Sequence, residues 1–267
     1  MTLLLKLLLA PLLVVASSLA GRRWGDRVTG VLVAFPIVAG PILLITCLEQ
    51  GVEFGARAAA ASLLGLVSLA VFSVVFTYAA RRWRWPAALA VSWAATGIAD
   101  VALAGRNLAA GWALLLVAAA IVAGRWLLAA VHDGTADGGR VRPPWWDLPG
   151  RAIATAALVL FVTGIAATAG PVVTGILAPF PIATSVVAAF VHAQQGPAAV
   201  ARTMTGVLQG LAGFAVFCFL ASVLLVPLGV GGAFAAAVAG VPASQAVVML
   251  ATARRRSPVS VHGSRRG

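Results

Sequence analysis

Two prolines set inside apolar runs are the residues best placed to do something other than pack. Pro36 lies within Gly30–Gly51, a stretch apolar enough to cross a bilayer, and Pro181 within a second such stretch, Gly175–Gly196. Proline in a membrane helix removes one intrahelical hydrogen bond and releases the carbonyl four residues earlier, so free carbonyls are expected at Leu32 and Leu177. Gly40 and Pro41 loosen the first stretch further, Pro179, Thr184 and Ser185 the second, and Phe35 and Phe180 precede the two prolines. A helix broken in this way offers carbonyls and half-helix amides to a solute or ion. The same residues also serve an ordinary kink that lets neighbouring helices pack.

Asp100 is the other candidate. It sits a turn inside the end of an apolar run, where a carboxylate is costly unless it faces a cavity, a partner or the interface. Gln245 occupies the corresponding place in a later run. Phe35, Pro36, Gly40, Phe180, Pro181, Thr184, Ser185, Asp100 and Gln245 are therefore the residues expected to line any substrate site. Arg57 and Arg202 open apolar runs and read as interfacial anchors ahead of anion contacts. Glu49, His192 and Gln195 read as solvated span ends, and Arg125 as an arginine that snorkels. Cys47 and Cys218 lie in apolar runs without CxxC spacing, which points to buried thiols and not to a redox or metal site. Three histidines and seven acids, mostly between the runs, supply no convergent cluster of acids, bases or metal ligands. No enzyme activity, catalytic residue, metal or cofactor is expected.

The elements that must hold these residues follow from composition. Of the 267 residues, 61% are hydrophobic and 10% charged, against about 25% charged in a soluble domain. The apolar residues fall in runs of about 20, the signature of an all-α polytopic membrane protein. The ten-residue alternation of a membrane barrel is missing. Nine transmembrane helices are expected, near 2–20, 28–48, 55–79, 86–103, 108–131, 152–167, 172–193, 199–226 and 229–251. The first run could pass for a secretory signal, but Arg22, Arg23 and Arg27 follow it and it has an internal counterpart at 152–167, so it reads as a retained span.

The net charge of +12 is almost entirely arginine, Lys6 being the only lysine. These arginines stand at span ends, which implies anionic lipid headgroups as partners and excludes a nucleic-acid-binding face. Clusters follow the first and third runs (Arg81-Arg82-Trp83-Arg84 after the third) and fill the tail, so the N-terminus is expected outside and the C-terminus in the cytoplasm, in a bacterial inner membrane. Residues 132–150, rich in Gly, Asp, Pro and Arg, read as a cytoplasmic linker, and 254–267 as a basic disordered tail.

The two proline-bearing stretches belong to a longer repeat. At a constant interval of 145, Val28-Thr29-Gly30 pairs with Val173-Thr174-Gly175, Phe35-Pro36-Ile37 with Phe180-Pro181-Ile182 and Gln50-Gly51 with Gln195-Gly196; Arg57 pairs with Arg202, Gly65 with Gly210 and Phe72 with Phe217. Residues 1–131 thus hold a first repeat (helices 1–4) and a connecting helix 5, and 151–253 a second repeat (helices 6–9). An odd number of spans between equivalent positions makes this an inverted-topology repeat, an architecture recurrent in secondary carriers.

Leu3-Leu4-Leu5-Lys6, then Gly30 with Phe35-Pro36 and Glu49-x-Gly51-x-Glu53, resemble the small GlpM-type inner-membrane proteins. The resemblance covers about residues 1–103 and, more faintly, 152–251. It implies four-span units, here fused as an inverted duplication, and an association with glycerol-phosphate metabolism and envelope polysaccharide production. This chain has Leu43 and Ala188 where that family carries a histidine, and Gln194 and Ala198 replace Glu49 and Glu53 in the second copy. The expected function is a secondary carrier of a small, phosphorylated or envelope-precursor solute by alternating access. The alternative is a non-transporting scaffold or accessory subunit of envelope polysaccharide assembly.

Overall fold

A computed structural model describes residues 2–106, 108–132, 143–177 and 180–254. Most of the 132–150 linker, Pro179, and the tail beyond Arg254 lie outside the described residues. All regular structure among the described residues is helical: α1 (Thr2–Trp24), α2 (Asp26–Val33), α3 (Ala39–Gln50), α4 (Val52–Ala80), α5 (Trp85–Leu103), α6 (Ala110–His132), α7 (Asp147–Leu177) and α8 (Ile182–Arg254). Six of these are long and apolar enough to cross a membrane. Burial has the pattern of a protein solvated by lipid. Leu4, Leu8 and Leu12 form an outward strip one turn apart on α1, Val122 and Trp126 another on α6. Serines and threonines such as Ser73, Thr77, Ser92 and Thr96 are completely enclosed, each satisfied by a carbonyl of its own helix. Trp24, Trp83, Trp85, Trp112, Trp126, Trp145 and Trp146 are exposed near helix ends, where indole rings favour the headgroup level. The protein is membrane-embedded.

The described helices number eight where nine spans were expected, because several segments join or divide. The expected second span is two helices, α2 and α3. The expected sixth span and the start of the seventh run together in α7. The remainder, α8, is a succession of helical stretches that meet across non-helical backbone at Gly196 (φ 80°, ψ −175°) and Gly229 (φ 68°, ψ 180°). Gly196 has a counterpart at Gly51 (φ 89°, ψ 164°) between α3 and α4, in a backbone region open only to glycine. Pro197 then starts the next helical stretch, where its missing N–H costs nothing.

The core is built around α4 and the middle of α8, which pack on one another and on α2, α5 and α6. Phe72, Phe76, Leu63, Met204, Leu208, Leu211 and Phe217 are wholly enclosed there. The approach of α2 to α8 is backbone to backbone. A Cβ added at Gly30 would strike the Thr203 carbonyl, one at Gly206 the Arg27 carbonyl, and one at Gly210 would lie 2.6 Å from the Val31 carbonyl oxygen. Small residues spaced by four give this contact in membranes, where dispersion replaces the hydrophobic effect.

Candidate functional site

Both expected helix breaks are present. α2 stops at Val33, the chain turns through residues 34–38, and α3 begins at Ala39. The bonds that re-form the chain are Ile37 N to Phe35 O and Gly40 N to Pro36 O, both 2.8 Å. At the second break, Ile182 N to Phe180 O and Ser185 N to Pro181 O recur at 2.8 Å, each residue shifted by 145. One expectation needs correction. The Leu32 carbonyl is not free, because the turn tightens and Phe35 N–H donates to it at 3.1 Å. Leu177 has no described counterpart to that bond.

Each break is covered by an aromatic ring. Gly40 is buried against Phe217 of α8. Phe180 lies 5.3 Å, centroid to centroid, from Trp93 of α5, whose indole N–H donates to Ser185 Oγ at 2.9 Å. Thr184 and Ser185 are buried, Phe35, Pro36 and Phe180 half-buried. No hydrogen bond or ring contact joins one break to the other among the described residues. Asp100 is buried on α5 toward Ser68 of α4. Gln245 is buried on α8, its amide donating to the Gln209 carbonyl at 3.1 Å.

A third constellation borders a cavity. A cavity of about 350 Å³ opens between the end of α1, the start of α2, the start of α7 and α8 near Gly196; its lining includes Ser18, Arg22, Asp26, Thr29, Asp147 and Arg151. Asp147, 1% exposed, accepts from Arg22 Nη2 at 2.8 Å, Arg151 Nε at 2.8 Å and Gln194 Nε2 at 2.7 Å. Asp26 accepts from Arg202 at 2.8 Å, and Arg27 Nε donates to Gln209 Oε1 at 3.0 Å. Arg151 also lies over the Phe190 ring, 5.1 Å from its centroid, a contact strengthened where water is scarce. Asp26 and Asp147 stand in the first turns of α2 and α7, where helix dipoles favour a carboxylate. The lining sets two guanidiniums, Arg22 and Arg151, against two carboxylates, and Arg202 reaches Asp26 from outside it; the guanidiniums are the groups an anion could engage.

The chain matches no protein-family model, no curated protein and no solved structure. What this cavity does must therefore be argued from its own chemistry. Its acids went unnoticed in the sequence, although two signals were present. Asp147 and Arg151 have the i, i+4 spacing of a helical ion pair, and Asp26 and Asp147 are acids set in arginine-rich joints. Arg202, expected as an interfacial anchor ahead of an anion contact, also ties α8 to α2 through Asp26.

Proposed function

We propose that this protein is a secondary carrier of a small anionic solute, of the phosphorylated or envelope-precursor class, working by alternating access in a bacterial inner membrane. The observation that carries the reading is the cavity at the α1–α2–α7–α8 junction, lined by Arg22 and Arg151 and bordered by ion pairs that link the first part of the chain to the second. Arg22–Asp147 and Arg202–Asp26 each join residues more than a hundred positions apart. An anion entering there competes with Asp147 and Asp26 for the guanidiniums, which couples occupancy to release of the contacts between the halves.

The inverted-topology repeat belongs to the same proposal. It is supported by the two identical hydrogen-bond pairs at the breaks, the matching glycines Gly51 and Gly196, and the opposition of Ser68 to Asp100 and of Gly213 to Gln245, all at an interval of 145. In this reading the nine crossings are α1, α2 with α3, α4, α5, α6, the first part of α7, its end with α8 to Gly196, and the two later stretches of α8. The arginine-bearing end with the cavity is cytoplasmic, the N-terminus is outside, and the resemblance to the GlpM-type unit describes each half.

A scaffold of envelope assembly is the second reading, favoured by the tight contact of α2 carbonyls on Gly206 and Gly210, which leaves no room for sliding. Reconstitution separates the two. The carrier takes up or exchanges labelled small organophosphates in proteoliposomes, and Arg22→Ala weakens this about tenfold or more. Absence of flux, with no thermal stabilisation by any such anion, sinks the carrier reading.

A further inference from the structure

Asp100 has no role in the cavity just described, and its surroundings are unusual for an ion. Its residue is 6% exposed, and no ion pair reaches it among the described residues. Arg106, the nearest cation along the chain, donates its Nε to the Ala102 carbonyl at 2.9 Å. The helices packed on α5 are α4, α7 and α8. Between Arg57 and Tyr78, α4 has no ionisable side chain, and the Tyr78 hydroxyl donates to Leu127. The charged groups of α7 nearest in sequence, Asp147 and Arg151, bind each other. On α8, His192 stacks edge-on against Phe76, Arg202 pairs with Asp26 and Cys218 is buried. The group that does face Asp100 is Ser68 on α4, whose hydroxyl is wholly enclosed and makes no bond to its own helix.

Other buried hydroxyls on these two helices are satisfied by their own helix: Ser73 by Leu69, Thr77 by Ser73, Ser92 by Ala88 and Thr96 by Ser92. Ser68 alone among them makes no bond to its own helix, and it stands beside the one acid of α5. An ionised carboxylate without a cation is strongly disfavoured at such a place, and a protonated one is not. The matching position in the second part of the chain points the same way. There Gln245, a permanently neutral donor, lies against Gly213, and its own Oε1 is unpartnered.

We propose that Asp100 and Ser68 form a proton-binding site, in which Asp100 alternates between a neutral carboxyl and a carboxylate that accepts a hydrogen bond from Ser68. The site is independent of the anion cavity, and its test needs no transport. The full chain in phosphatidylcholine liposomes is treated with a hydrophobic carbodiimide, which reacts with the protonated carboxyl, and the adduct is located by mass spectrometry. Label on Asp100 is expected at acid pH, falling as the pH rises, and unchanged when sodium replaces potassium. In Ser68→Ala the carboxylate loses its donor, so label persists at the alkaline end, about tenfold above the parent. An Asp100 that stays unlabelled in acid, or that sodium protects at fixed pH, overturns the proton site. An unchanged profile in Ser68→Ala removes Ser68 from it.

Discussion

Asp147 holds three donors at one buried carboxylate, and the arithmetic of that arrangement is severe. Arg151 is itself 3% exposed, so removing the carboxylate strands a guanidinium where water is scarce. Asp147→Ala is expected to cost about 3–5 kcal/mol, the range for breaking a buried pair from one side, read as loss of thermal stability in detergent. Arg22→Ala touches the same carboxylate from a position 36% exposed and leaves Arg151 and Gln194 in place. Its stability cost is expected below about 1 kcal/mol, while anion binding falls. An Arg22→Ala protein as unstable as Asp147→Ala would mean that the cluster is a staple and not a ligand site. The sequence displayed these residues but not their meeting, because Arg22 and Asp147 lie 125 positions apart. Asp100 and Gln245, by contrast, were legible singly, since an acid or amide inside an apolar run is conspicuous.

At the scale of elements, two kinds of glycine have different jobs, and substitution separates them. Gly51 has open space around its α-carbon but a left-handed φ of 89°. Gly51→Ala is expected to cost about 1–3 kcal/mol through backbone strain alone, with Gly196→Ala behaving alike. Gly206 is helical, and its α-carbon rests on the Arg27 carbonyl. Gly206→Val is expected to lever α2 from α8, seen as thiol labelling of a single cysteine placed at Val33, buried in the parent protein, in the variant and not in the parent. Equal labelling in both would show that α2 is not seated on that face. The helix breaks were readable from Phe35-Pro36 and Phe180-Pro181, because proline acts locally. The fate of the Leu32 carbonyl was not, because a turn can tighten to i+3 and satisfy it. The later spans run together in α8 only across non-helical backbone at Gly196 and Gly229, close to the span boundaries expected at 193–199 and 226–229.

For the whole molecule, the proposed topology makes a two-sided prediction. A single cysteine at Arg82 is expected to react with an impermeant maleimide only after the inner membrane is opened, and one at Arg106 in intact spheroplasts. The reverse pattern would invert the orientation and place the arginine-rich cavity outside. Composition was enough to read a helical membrane protein, since lipid demands continuous apolar helices. Composition was silent on which helices meet, and the cavity exists only through those meetings.

The ion pairs across the chain also set a timetable. Synthesis at about 5–20 residues per second brings out Arg22 some seconds to tens of seconds before Asp147, and Asp26 waits longer still for Arg202, 176 residues on. Throughout that interval α2, an eight-residue helix whose main seat is α8, has only α1 to pack on and keeps an unpaired acid. The early chain therefore reaches its final packing only after the last third has been made. Two separately expressed halves would each emerge with one side of every such pair, so the nascent chain itself is what holds them for one another.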